Sequence, residues 1–175
     1  KTIFATNTSS LSVSDIQKNI LHPQRVVGMH FFNPAYLMKL VEVVKGEQTD
    51  NDIAETIYAL CKQMGKSPVM CKDAPGFIVN RVARHYYLEA MKIVEQGIAT
   101  FENVDAIMES SGFKMGPFKL MDLIGMDINL SVSQSLYDAF NQTERFKPSP
   151  LQIEKVKDAN LGRKTGKGFY EYSEP

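Results

Sequence analysis

Glu42 stands in the middle of the apolar run Leu40-Val41-Glu42-Val43-Val44. A carboxylate in such a place carries a heavy desolvation cost unless a donor meets it. The natural donor is His30, the only non-apolar side chain between Val26 and Phe32. If the two runs are neighbouring strands, imidazole and carboxylate can meet. A carboxylate that accepts from one ring nitrogen of a histidine fixes the tautomer and raises the basicity of the other nitrogen. That outer nitrogen can take a proton from an alcohol or return one to a ketone, which is general acid/base chemistry suited to neutral pH. A purely structural His–Glu pair, or a Glu at an exposed strand end, fits the same pattern.

Ser9 lies in Asn7-Thr8-Ser9-Ser10, directly after an apolar run. In α/β sheets the carboxyl ends of strands are where ligands are held, so its hydroxyl could donate to a substrate oxygen. Capping the next helix is the competing role. Asn80 sits one turn into a helix among mostly apolar neighbours, where an amide suggests a directed hydrogen bond or partial exposure. Arg81 and Arg84 on that helix read as a solvated face, although they could meet a phosphate. His22 and His85 have no carboxylate or cysteine at metal-ligand spacing, so no metal site is expected. Neither a Gly-x-Gly-x-x-Gly after a strand nor a Gly-x-x-x-x-Gly-Lys-Ser/Thr phosphate loop occurs.

These residues need a scaffold. The sequence predicts a buried strand over Lys1–Thr6, a short helix over about 13–19, and strands over Arg25–Phe32 and Leu40–Val44. Strand, helix, strand with short joins is an α/β pattern. A helix to about Met64 and a strand at Pro68–Cys71 follow. Helices are then expected over about 75–96, 100–110, 119–141 and 151–159. The division is placed near residue 72: the end of an α/β domain over 1–72, then an all-helical domain over 73–175.

Composition narrows the partners. Lys plus Arg and Asp plus Glu both total 20, so no net positive charge points to nucleic acid or an anionic membrane. No apolar stretch is long enough for a membrane-spanning helix. Cys61 and Cys71 resemble neither a disulfide framework nor a metal knuckle and read as reduced thiols. The nine Met residues read as core filling.

Six segments, in order, resemble the L-3-hydroxyacyl-CoA dehydrogenase family. They are the run Phe4-Ala5-Thr6-Asn7-Thr8-Ser9-Ser10-Leu11, then Gly28-Met29-His30-Phe31-Phe32-Asn33-Pro34, then Met38-Lys39-Leu40-Val41-Glu42-Val43-Val44. Asp73-Ala74-Pro75-Gly76-Phe77-Ile78-Val79-Asn80-Arg81, Met115-Gly116-Pro117-Phe118, and Gly162 to Tyr170 complete the series. The resemblance implies a remnant of a Rossmann-type dinucleotide-binding domain followed by an all-helical substrate-binding and dimerisation domain. It implies His30 as the general acid/base and Glu42 as its orienting carboxylate. Ser9 and Asn80 would bind substrate, Asn33 and Ser9 would meet the cofactor, NAD, and an acyl-CoA would be the substrate. A homodimer in the cytoplasm, or in the mitochondrial matrix of a eukaryote, is the expected setting. Because the glycine fingerprint is missing, the 175 residues alone are expected to turn over weakly or not at all. The alternatives are a non-catalytic acyl-CoA-binding or dimerisation fragment, and a sugar-acid dehydrogenase of the same superfamily.

Overall fold

The computed structural model describes residues 2–173, so Lys1 of the first expected strand lies outside them. Contacts divide the chain into two compact units, Lys1–Val79 and Asn80–Pro175. Among the described residues no helix is long and apolar enough to cross a membrane.

The first unit is built on a four-stranded sheet in the order β1-β2-β3-β4. The strands are β1 (Phe4–Thr6), β2 (Val26–Phe31), β3 (Leu40–Lys45) and β4 (Ser67–Lys72). Pairs β1–β2 and β3–β4 are parallel, whereas β2–β3 is antiparallel. That reversal is invisible in the strand-helix-strand pattern. Strands β2 and β3 are apolar on both faces because both are covered. On one face α2 (Asn51–Gln63) sets Ala54, Ile57 and Cys61 against Val27, Met29, Val41 and Val43. The other face buries Val26 and Val44 against Phe77 and Val13, the latter from α1 (Val13–Gln17). Since side chains alternate along a strand, His30 and Glu42 belong to this second face. β1 is an edge strand with Phe4 half exposed, and so not the buried strand expected.

The segment Asp73-Ala74-Pro75-Gly76-Phe77 delays the long helix. Gly76 and Phe77 take positive φ values of 72° and 46°, a conformation that no α-helix tolerates, so α3 spans Val79–Glu95 instead of starting near residue 75. Asp73 secures this turn. Its Oδ2 accepts from Ser12 Oγ at 2.7 Å and from Ser14 N at 2.8 Å, joining the end of β4 to the start of α1.

The second unit is helical: α3, α4 (Phe101–Ser110), α5 (Pro117–Ile124), α6 (Met126–Ala139) and α7 (Pro150–Lys157). The single helix expected over 119–141 is two, broken at Gly125 with φ 101°. Tyr87, Met91, Val104, Phe118, Met121 and Met126 form the core, so these three methionines are core filling; Met64 of the first unit is half exposed. Arg84 is buried too, contrary to the expected solvated face, while Arg81 is exposed.

Two buried carboxylates explain the later sequence signatures. Asp105 accepts from Phe118 N at 2.8 Å, Lys119 N at 3.0 Å and the Tyr170 hydroxyl at 2.8 Å, which fixes the start of α5 after Met115-Gly116. Asp122 accepts from Phe169 N, Tyr170 N and the Tyr172 hydroxyl, each at 2.9 Å. A Cβ on Gly168 would fall 2.1 Å from Asp122 Oδ1, so only glycine lets the tail close on the carboxylate. Burial and then the Asp122 hydrogen bond push the Tyr172 hydroxyl up to about 12.

Asp122→Asn would set an amide NH2 against N–H donors. The variant is expected to lose about 2–3 kcal/mol of stability, read as a lowered urea midpoint with unchanged slope. A midpoint equal to wild type would mean that the tail does not depend on this carboxylate.

Candidate active site

The antiparallel register pairs His30 with Glu42 directly across β2 and β3. Their side chains meet, with His30 Nδ1 and Glu42 Oε2 2.7 Å apart. His30 is 5% exposed and Glu42 1%. The other carboxylate oxygen, Oε1, accepts from Ile78 N and Val79 N, both at 2.9 Å. The turn held by Asp73 delivers those two N–H groups, and it also brings the Phe77 ring edge-on to the imidazole at 5.7 Å. Phe32 flanks His30 at 4.6 Å.

Burial, the strongest influence on Glu42, pushes its carboxyl up; the hydrogen bonds from His30, Val79 and Ile78 together outweigh it and hold the carboxyl below its ordinary value of 4.5. Glu42 is therefore ionised at neutral pH and can only accept. Oε2 then requires a proton on Nδ1, and the hydrogen-bond network assigns His30 the tautomer with its lone pair on Nε2. Burial, followed by the Glu42 and Asp73 charges, pushes the nearby Cys71 thiol up to about 11, so it stays protonated and is no nucleophile.

Ser9 is exposed in the bend after β1, and Asn33 is exposed just after β2. β1 and β2 run parallel, so both residues leave the same, carboxyl, edge of the sheet as His30. Asn80 is the second residue of α3, partly buried, and belongs to the second unit. Direct contact is thus present between His30 and Glu42, while Ser9, Asn33 and Asn80 stand in separate segments. Three contributors escaped the reading of the sequence. Asn7 Oδ1 accepts from Phe31 N at 2.9 Å and ties the Ser9 loop to the end of β2. The Ile78 and Val79 amides are backbone groups without a residue-type signal, and only Pro75-Gly76 hinted at a turn there.

Glu42→Gln tests this geometry. Its amide cannot accept from all three donors, so a loss of about 3 kcal/mol is expected in thermal or urea unfolding at neutral pH. The folded carboxyl titrates below its unfolded value. Its contribution is therefore complete above that value and disappears as pH falls through the lower, folded one. The Gln variant should show a shallower acid limb than wild type; parallel limbs would contradict the assignment.

Two family models together match nearly the whole chain. The 3-hydroxyacyl-CoA dehydrogenase NAD binding domain matches residues 1–74, and the 3-hydroxyacyl-CoA dehydrogenase C-terminal domain matches 76–172. A 3-hydroxyadipyl-CoA dehydrogenase of Escherichia coli (strain K12) is 49% identical over 98% of this chain, which spans 36% of that relative. A 3-hydroxybutyryl-CoA dehydrogenase of Clostridioides difficile is 43% identical, again over 98% of this chain and 61% of the relative. The solved (S)-3-hydroxybutyryl-CoA dehydrogenase from Ralstonia eutropha superposes with a TM-score of 0.94 at 40% identity, covering 98% of this chain and 61% of that one. The chain thus spans between about a third and three-fifths of these relatives. It belongs to the 3-hydroxyacyl-CoA dehydrogenase family.

Proposed function

We propose that the enzyme carrying this chain interconverts (S)-3-hydroxyacyl-CoA and 3-oxoacyl-CoA with NAD and NADH. The observation that carries the reading is the buried pair in which ionised Glu42 holds His30 Nδ1–H at 2.7 Å and leaves Nε2 as an acceptor. In the oxidising direction Nε2 removes the proton of the 3-hydroxyl. Glu42 stabilises the imidazolium that results, and Nε2 returns the proton to the ketone oxygen in the reverse direction. A bound nicotinamide supplies the other half of the exchange by accepting or returning hydride at carbon 3. The side chains present suit the nicotinamide end of such a cofactor. Ser9 and Asn33 are exposed polar groups at the carboxyl edge of a parallel strand pair, the usual place for a dinucleotide. In this reading Ser9 and Asn80 hydrogen-bond the substrate near its reacting carbon and thioester, and Asn33 helps to align cofactor and substrate.

The names of the relatives, butyryl in one case and adipyl in another, suggest short acyl chains in acyl-CoA or fatty-acid metabolism. The proposal extends to a division into an α/β part over 1–72 and a helical part over 73–175. It also includes pairing of two copies through the helical part, supported by exposed Ile107, Leu123 and Ile128, in the cytoplasm or a mitochondrial matrix.

In the full-length enzyme His30→Gln is expected to reduce kcat about a hundred- to ten-thousand-fold while leaving the thermal midpoint within a few degrees of wild type. Retained turnover would remove the mechanism. Parallel rates on 3-hydroxybutyryl-CoA and on free 3-hydroxybutyrate test the substrate class. A preference for the free acid would move the protein to the sugar-acid branch.

A further inference from the structure

The connection between β2 and β3 carries Asn33, yet packing does not hold it. Residues 33–39 are all exposed, Tyr36 at 89% and Leu37 at 67%. Within the connection Leu37 N and Met38 N both donate to Pro34 O at 3.0 Å and close a single turn. Its far end joins the sheet, where Ser67 N donates to Lys39 O at 2.8 Å. Among the described residues, one side chain grips the turn from outside. Lys66 Nζ donates to Met38 O at 2.9 Å and to Ala35 O. No carboxylate of the described residues forms an ion pair with Lys66, so its charge is spent on these two carbonyls.

The root of this lysine is fixed by the helix before it. Lys66 N donates to Cys61 O at 2.9 Å and Gly65 N to Lys62 O at 3.0 Å, with Gly65 at a φ of 72°, which closes α2 in a Schellman motif. That helix is docked on the sheet through Ile57 and Cys61. A half-buried lysine tied to two carbonyls gives up the rotamer freedom that a solvated ammonium keeps. Core packing supplies no reason for this restraint, because every side chain of the restrained segment is exposed. The reason lies in what the turn carries. Asn33 stands at its start, three residues after His30 and just past the end of β2. An amide on a loose connection is placed no better than its backbone, and a misplacement of about 1 Å can cost about a hundredfold in rate.

We propose that Lys66 is a positioning residue for the dehydrogenase reaction: by drawing the Ala35 and Met38 carbonyls onto one ammonium, it fixes the turn that presents Asn33 to cofactor and substrate. This rests on the dehydrogenase reading above and on the role given there to Asn33. Lys66 touches neither ligand and acts through Asn33.

The test is a double-mutant cycle in the full-length enzyme, read by steady-state oxidation of (S)-3-hydroxybutyryl-CoA with NAD. Lys66→Met is expected to lower kcat about ten- to a hundredfold while each KM changes less than about threefold. The thermal midpoint should stay within a few degrees of wild type, since no core contact is lost. In an Asn33→Ala background the same substitution should cost about threefold or less, because the side chain that it positions is gone. Wild-type kcat in Lys66→Met overturns the proposal, and so does a loss above about threefold in the Asn33→Ala background. If Lys66→Met does not fold by circular dichroism, Lys66→Gln takes its place in the cycle under the same criteria. Asn33→Ala at the wild-type rate removes the role given to Asn33, and the proposal with it. A wild type inactive on the thioester removes the dehydrogenase reading instead.

Discussion

A single negative charge sealed inside the sheet governs the architecture of the first unit. Glu42 is almost wholly buried, and three donors face its two oxygens: the His30 ring and the backbone N–H groups of Ile78 and Val79. Desolvating a carboxylate costs several kcal/mol, and hydrogen bonds to a charged group return about 1.5–3 kcal/mol each. The two sides come close to balance, so the pair adds little net stability. Removing the carboxylate alone would still destabilise the fold, because it strands the His30, Ile78 and Val79 donors. The carboxylate is better understood by what it does to the imidazole, which it locks in one tautomer with the second nitrogen free.

Much of the surrounding structure serves that arrangement. The antiparallel register of β2 and β3 sets the two side chains opposite each other. Phe77 occupies a left-handed conformation that a bulky residue rarely adopts. The turn around it delivers two amides to Glu42 and a ring edge to His30. Asp73 anchors the turn through Ser12 and Ser14, and hydrogen bonds from those donors outweigh the dominant effect of burial to keep its own carboxyl below the ordinary range. One strained residue and one anchored acid thus place the donors that make a buried carboxylate tolerable.

The second unit applies the same physics with different results. Asp105 and Asp122 act as clasps, each gathering backbone amides and a tyrosine hydroxyl from distant sequence. Their partners are all internal, so they stabilise a tail that has little regular structure of its own. Arg84, buried as deeply, is met by neutral groups instead: Nη1 donates to Asn129 O, Asn129 Oδ1 and Ser133 Oγ, and the guanidinium lies over the Tyr87 ring.

Much of this was legible in the residues themselves. An acid in the middle of a valine run and a lone histidine in its neighbour announced the pair, because burying a charge demands a partner of the opposite kind. The order of strands and helices followed from periodicity and from Gly and Pro punctuation. What the residues could not disclose were the features fixed by three-dimensional proximity. The antiparallel turn between β2 and β3, the exposure of β1 and the break at Gly125 depend on which surfaces find cover and which backbone torsions the packing demands. The amides at Ile78 and Val79 were hidden because every residue has an N–H, and only a tertiary turn decides which ones point at a carboxylate. Arg84 read as a solvated side chain because composition places arginine outside; only the packing of α3 against Asn129 and Ser133 turned it inward.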